Sequence, residues 1–526
     1  MKFTSMDELD VTPGLLTVWR AVPRGAPVGV GGAGWVADGR AASYVQEAHI
    51  AGALAGGRGA ERAPAWLASA FEMPGADAGV LEGALLAWID RHESLRSRLV
   101  PADEVDGSDE AEESDDGGLR RVTLPAGGVS LRRGVEGDFE SGKLLASRIE
   151  DVFDAETDPL AWPSFVFATV EHAGGLTLYL GFDHSNVDGY SILLIAHEIR
   201  ELYAAVSSGT PSALTEVGSY LDFADTEREY AALVHDEHDA VVRWREFLGS
   251  GGGRLPEFPG TVGSALSGRG ALSGPAPSDR PADAVGEQIG GCDWLLDAST
   301  AGAFQSACRD HGGNFLTGVL ACLALASRDL DVGTDRGRDP RGQGEFRALT
   351  PFHTRSDARW AYSVGWYVGL APLRFAVRGD DAFADLLPAA SAALDGAGEM
   401  AAIPFPRVSE LLGTPLRPRF VVSYMDMRRT PGARQWGAWK AAALRSRCVD
   451  PDEVYLWINR TYEGVYLSFR HPATEHARLA VSRLVAGTGR LMNRVAGGGP
   501  PGEPADVKDV LLRDLVPARQ QEPAPC

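Results

Sequence analysis

Hydrophobic positions along the chain repeat with two periods, and segments of each kind follow one another in sequence. The run FVFATVEHAGGLTLYLGF (165–182) alternates on both sides of Ala173-Gly174-Gly175, which predicts a β-hairpin. Upstream, GVLEGALLAWIDRHESL (79–95) carries the helical period. Further on, AGAFQSACRDHGGNFLTGVLACLALASRDL reads as helix with a break at Gly312-Gly313. Strand patterns follow in EFRALTPF, GWYVGLAPLRFAV and RFVVSYMDM, and EVYLWINRTYEGVYLSFRHP reads as a hairpin around Tyr462-Glu463-Gly464. Strands and helices mix throughout, so the expected class is α/β in the broad sense (α+β).

Four stretches break the pattern. Residues 101–118 hold nine acids and no bases, which predicts a solvated loop. Residues 249–290 are rich in Gly, Pro and Ser and read as a linker. The stretches 333–344 and 497–526 read as a polar connection and a tail.

With 526 residues and 44% hydrophobic content the chain exceeds one ordinary domain, and two domains of roughly 200 residues are the natural expectation. No run of 18 apolar residues predicts a membrane span, and MKFTSMDELDVTPGLL lacks a signal-peptide core, so a cytoplasmic protein is expected. The five cysteines are scattered and form no CxxC pair, which speaks against a disulfide frame or a zinc site; Cys308 and Cys322 sit in apolar helical runs and read as core. A net charge of -22 with no basic run makes nucleic acid an unfavoured partner.

Candidate chemistry concentrates where one period gives way to the other. Tyr179, Leu180 and Phe182 close a strand-like run, and Ile192, Ile195, Ala196 and Ile199 mark a helix. Between them lies Asp183-His184-Ser185-Asn186-Val187-Asp188-Gly189. A histidine on a rigid turn can act as a general base near neutral pH. Gly189 is expected to permit a backbone shape that other residues resist. Alone, one His and one Asp four apart are more often structural than catalytic. His197 reads as a packed or surface residue, His235 and His238 as a solvated helix face, and His353 as strand packing. No GxSxG elbow is present, so a covalent acyl-enzyme is not expected.

DHSNVDG resembles the HHxxxDG signature of the condensation-domain superfamily, which includes chloramphenicol acetyltransferase-like enzymes and polyketide-associated acyltransferases. Other segments are similar to that family in family order: SYVQEAH (Ser43–His49), RHESLRSRL (Arg91–Leu99), Ser219–Leu248, and TRSDARWAYSVGWYVGLAPLRF (Thr354–Phe375). The resemblance implies two chloramphenicol acetyltransferase-like subdomains forming a V-shaped pseudo-dimer around a central tunnel. Their expected extents are 1–215 and 291–498, with connecting helices and linker at 216–290 and a tail at 499–526. It further implies His184 as the catalytic residue, Asp188 as a structural anchor paired with Arg355 from the other subdomain, and Gly189 completing the turn. Asp183, Ser185, Asn186, Ser423, Tyr424 and Asp426 are candidates to line the tunnel.

Three departures stand out. Asp183 occupies the place of the first signature histidine, where an ionised carboxylate would raise the pKa of His184. The family's DFGWG segment is not recognisable; VSYMDMRRTPGARQW (422–436) stands there and looks more like the stand-alone acyltransferases. The low-complexity insertions are extra. The expected activity is acyl transfer from a phosphopantetheine thioester, on an acyl or peptidyl carrier protein or coenzyme A, to an alcohol or amine, with ester formation favoured. The expected setting is natural-product (nonribosomal peptide or polyketide) or lipid biosynthesis, with no bound cofactor or metal and a monomeric enzyme. Arg417, Arg419, Arg428, Arg429 and Arg434 are expected to form a basic patch for an acidic carrier. The alternative is a non-catalytic condensation-like module that docks carriers or partner enzymes; a third possibility is epimerisation at the same histidine.

Overall fold

The alternating run at 165–183 folds as the expected hairpin, and the computed structural model builds the first of two sheets around it. The structure describes residues 1–25, 34–56, 64–101, 118–259, 288–330, 343–450 and 452–497. The acidic loop, most of the Gly/Pro-rich linker, the polar connection before residue 343, the tail and Cys526 lie outside the described residues.

The first half runs β1 (Phe3–Thr4), β2 (Gly14–Pro23), β3 (Val36–Asp38), α1 (Tyr44–Ala55), β4 (Trp66–Glu72), α2 (Ala78–Arg91), β5 (Ser97–Pro101), β6 (Leu119–Thr123), β7 (Val129–Phe139), α3 (Gly142–Glu156), β8 (Phe165–His172), β9 (Gly175–Asp183), α4 (Gly189–Ser208), α5 (Tyr220–Leu233) and α6 (Asp239–Ser250). The second runs β10 (Gln288–Asp297), α7 (Ala298–Asp310), α8 (Phe315–Leu330), β11 (Gln343–His353), β12 (Val368–Arg378), α9 (Phe383–Leu394), α10 (Ala397–Ala402), α11 (Phe405–Leu411), β13 (Phe420–Asp426), β14 (Ala442–Arg445), β15 (Val454–Arg460), β16 (Gly464–Pro472) and α12 (Glu475–Ala496).

The first sheet has the order β1-β14-β4-β9-β8-β2-β7, the second β10-β16-β15-β13-β11-β12, and a small third sheet β3-β6-β5. One strand crosses over: β14, from the second half of the chain, pairs antiparallel with β4 and parallel with β1. The first sheet packs α3 on one face, with Leu145, Ile149 and Phe153 buried there. Its other face takes α2 and α4 together with Met425, Met427 and Trp436 from the second half. Helix α4 is buried on several sides over Ser191–Ala196, with Glu198 and Ile199 buried beyond it. The second sheet buries α7, α8 and α12 on its far face, including Cys308 and Cys322. The two halves of the chain therefore each carry a sheet with helices, and the near face of the second sheet looks toward the end of β9.

Candidate active site

Strand β9, flanked by β4 and β8, ends at Asp183, and α4 begins six residues later. The turn between them is held by its own backbone. His184 N–H donates to the Ala65 carbonyl at 2.9 Å, Asn186 N–H to the Asp183 carbonyl at 3.0 Å, and Asp188 Oδ1 caps α4 by accepting from Ser191 N–H at 2.7 Å.

Asp188 also reaches across to the second half. Arg355 donates to it through both terminal nitrogens, at 2.8 and 3.1 Å, and Tyr367 N–H adds a bond at 3.1 Å. Both side chains of the pair are almost fully buried, at 4% and 2% exposure, so neither partner is screened by water. Burial pushes the Asp188 pKa up, but the Arg355 charge and the hydrogen bonds outweigh it and hold the carboxyl below its ordinary range. The guanidinium also lies 4.2 Å from the Tyr367 ring. Ser191 Oγ, which accepts from Arg355, donates to the Gly365 carbonyl at 3.0 Å.

The RHESLRSRL segment supports α4 from behind. Glu198 on α4 accepts from Trp88 (2.8 Å), Arg91 (3.0 Å) and His92 Nε2 (2.7 Å), while His92 Nδ1 accepts from Val364 N–H at 3.4 Å. The same carboxylate thus ties α2 to α4 and, through His92, to the second half.

The His184 ring lies against Trp366, with centroids 4.1 Å apart and planes inclined by 34°. Its Nδ1 is buried and bonds no other residue, and Nε2, also without a bond to another described residue, is the nitrogen left open. Burial lowers the ring's pKa; its own carbonyl raises it, His49 lowers it, and Asp183 and Asp188 raise it, with the net direction downward. The expected upward pull of Asp183 is therefore present but outweighed by desolvation.

Asp183 has its own partner, which the sequence did not suggest. His49 on α1 places Nε2 at 3.0 and 3.1 Å from the two carboxylate oxygens, and Asp183 also accepts from Ser185 N–H at 2.8 Å. The His49 ring stands edge-on to Trp366 at 5.6 Å. His49, Asp183, His184 and Trp366 thus form one cluster. The available signal was the departure itself: a carboxylate at the end of a buried strand needs a donor, and the segment Ser43–His49 ends in one.

The other candidates divide by face. Ser185 and Asn186 are buried and serve the turn. The Ser185 carbonyl accepts from Gln46, and Asn186 donates to Ser164 Oγ at 2.8 Å. On β13 Ser423 shares a face with Met425, whose Cε would be 3.8 Å from a β-carbon at Gly189. Tyr424 points the other way into the α8 core, 6.0 Å from Phe315, and Asp426, on that same face, is held bidentately by Arg428 at 2.6 and 2.8 Å. His238 caps α6, His197 packs near Gly432, and His353 is exposed at the end of β11.

Two expectations are corrected. Gly189 has no left-handed backbone; it is the first residue of α4, and an added β-carbon would meet Phe3 and Met425 at ordinary contact distances of 3.6 and 3.8 Å. Gly189→Ala is accordingly expected to shift stability by less than about 1 kcal/mol, within a few degrees of the wild-type melting midpoint; a loss of several kcal/mol would restore the strained-turn reading. The five arginines do not form one patch. Arg417 and Arg419 precede β13 and Arg428, Arg429 and Arg434 follow it, a separation of about 20 Å for its seven residues. Arg417, Arg419 and Arg428 are already paired with Asp450, Glu257 and Asp426.

Among the described residues no cluster of His, Cys, Asp and Glu could hold a metal, and no helix is long and apolar enough to cross a membrane.

A fold of two such halves, with a histidine turn clamped between them, is the condensation-type fold, and the chain's likeness to named acyltransferases makes it an acyltransferase. A scan against protein-family models finds no match. Among curated proteins the chain is similar to acyltransferase PapA3 of Mycobacterium tuberculosis, 28% identical over 369 residues that cover 68% of this chain and 71% of the relative. It is also similar to the 2'-acyl-2-O-sulfo-trehalose (hydroxy)phthioceranyltransferase PapA1 of the same species, 24% identical over 81% of this chain and 74% of the relative. The trehalose-2-sulfate acyltransferase PapA2 of Mycobacterium bovis is 28% identical over 65% of this chain and 69% of the relative. Among solved structures, PapA2 acyl transferase superposes with a TM-score of 0.75 at 22% identity, covering 95% of this chain and all (100%) of that one. The first condensation domain of the CDA synthetase gives a TM-score of 0.63 at 19% identity, covering 88% and 97%. These two structural likenesses speak for the fold.

Proposed function

We propose that the protein moves an acyl group from a phosphopantetheine thioester, on an acyl carrier protein or coenzyme A, to a hydroxyl of a small-molecule acceptor, forming an ester in lipid or natural-product biosynthesis. The observation that carries this reading is the His184 ring, kept neutral by burial, with Nε2 open, on a turn fixed by Asp188 and Arg355. In the step, the acceptor oxygen bonds to the thioester carbonyl carbon while its proton passes to His184 Nε2. The C–S bond then breaks, and the leaving thiolate takes the proton back from the imidazolium. Base assistance of this kind is worth about 10²–10⁴-fold, and holding both substrates together supplies much of the remainder. Ester formation is favoured over amide formation because relatives are named for acylating sulfated trehalose, whose nucleophiles are hydroxyls.

The Asp183–His49 pair tunes this base. His49 opposes protonation of His184, and Asp183 fixes the His49 ring in that position. His49→Gln keeps a donor for Asp183 but removes the imidazole that opposes protonation of His184. It is expected to move the acid limb of the kcat/KM profile to higher pH, with the plateau changed less than about tenfold. An unmoved limb would show that His49 is only structural.

The reading is tested by comparing metabolites from producing cells that carry the wild type, His184→Ala or a deletion, with the abundance of the variant checked. Loss of one acylated product and accumulation of its unacylated precursor in both altered strains supports transfer. Loss in the deletion alone makes the chain a docking module.

A further inference from the structure

Arg445 is a charged group near this site that the proposed reaction does not use. It ends β14, directly opposite Leu67 on β4, which is opposite Phe182 on β9, two residues before His184. Residues opposite one another share a face of the sheet. Leu67 and Phe182 belong to the face that packs α4 and the second half, so Arg445 projects between the halves.

There its guanidinium carbon lies 4.2 Å from the Trp457 ring centroid, and Nη2 donates to Ser468 Oγ at 2.9 Å. Ser423, Trp457 and Ser468 stand side by side on β13, β15 and β16, forming the near face of the second sheet. On the other side the guanidinium is 5.9 Å from the Phe3 ring, whose Cζ lies 3.6 Å from the site of a β-carbon on Gly189. One phenyl ring therefore separates this cation from the histidine turn.

Glu8 is near enough to favour its charge, but no carboxylate among the described residues pairs with it. Arg355 in the same seam holds a carboxylate with both arms, and Arg470, beside Arg445, is paired with Glu453 at 2.5 Å. Arg445 forms no ion pair among the described residues, and Ser468 Oγ is the one hydrogen-bond acceptor it meets. Burial and the neighbouring Arg470 push its pKa down to about 10, which still leaves it charged at neutral pH. A half-buried cation with one neutral partner keeps N–H groups unused, and a planar fork of such N–H groups matches an oxyanion bidentately.

We propose that Arg445, with Ser468 and the Trp457 ring, forms a subsite for a tetrahedral oxyanion, sulfate or phosphate, carried by one of the two substrates. The substrates are those of the acyl-transfer reading. A sulfate would come with the acceptor, a phosphate with the pantetheine arm of the donor.

Titration calorimetry on the full chain separates the sources with two probe pairs, 4'-phosphopantetheine against pantetheine and trehalose 2-sulfate against trehalose. The wild type is expected to bind the charged member of one pair about 10- to 100-fold more tightly than its neutral congener. Arg445→Gln should bring that ratio near one without weakening the neutral member, and Arg445→Lys, which keeps the charge but not the fork, should fall between. Ratios near one for both pairs in the wild type, or a ratio that survives Arg445→Gln, would overturn the proposal. Should Arg445→Gln fail to fold, Arg445→Lys and Ser468→Ala decide: a lowered ratio in either supports the subsite, and unchanged ratios in both overturn it. The readout is binding, so it stands apart from whether His184→Ala abolishes transfer.

Discussion

His184→Ala is expected to lower acceptor-dependent thiol release by about 10²–10⁴-fold at neutral pH while leaving the fold intact. The ring makes few structural bonds: it lies on Trp366, and its Nδ1 bonds no other residue. What holds the turn is the His184 backbone N–H on the Ala65 carbonyl, which alanine keeps. The variant should therefore melt close to the wild type, which separates loss of chemistry from loss of structure. In the wild type, with the ring's pKa below its ordinary value of 6.5, the rate should stay level from pH 7 down through that value before falling. A variant that retains more than a tenth of the rate would remove His184 from the role of base.

Arg355→Ala is the substitution expected to cost most in stability, about 3–5 kcal/mol, because it strands the buried Asp188 carboxylate. That is a large part of the usual margin of 5–15 kcal/mol. The pH dependence gives the mechanism away. In the wild type the depressed Asp188 pKa contributes stability that is present above the unfolded value near 4 and is lost as pH falls through the folded one. Without Arg355 only the Ser191 and Tyr367 N–H bonds oppose burial, and the folded pKa is expected to rise above the unfolded one. The sign then reverses: the deficit is greatest at neutral pH and shrinks as acid protonates Asp188. Chemical denaturation of both proteins between pH 7 and pH 5 tests this, and a deficit that does not depend on pH would assign the loss to the ring contacts instead. Activity should fall as well, since the same pair orients the start of α4.

Much of this was legible in the residues because the signals were local. The hairpin at 165–183, the helix break at Gly312-Gly313 and the turn between β9 and α4 each follow from a change of period within a few positions. The Asp188–Arg355 bond spans 167 positions and was reached through resemblance; no spacing rule predicts it. The His49–Asp183 bond, 134 positions apart, had neither aid. Tyr424 and Asp426 fell outside the site because strand alternation turns them toward the α8 side, a distinction that needs the register. Strand β14 could not be seen at all. Ala442–Arg445 is four residues of helix-favouring composition, and its extended state is imposed by β1 and β4 on either side.

That borrowed strand limits how the molecule can be recombined. The linker near residue 270 looks like a natural seam for exchanging one half with that of a relative, yet the first sheet closes only with residues supplied from 442–445. A first half grafted alone would carry an open gap between β1 and β4, two bare edges ready to pair with a neighbouring molecule. The exchangeable unit here is the whole pair of halves, so a chimaera that keeps this sheet closed has to take both from one parent.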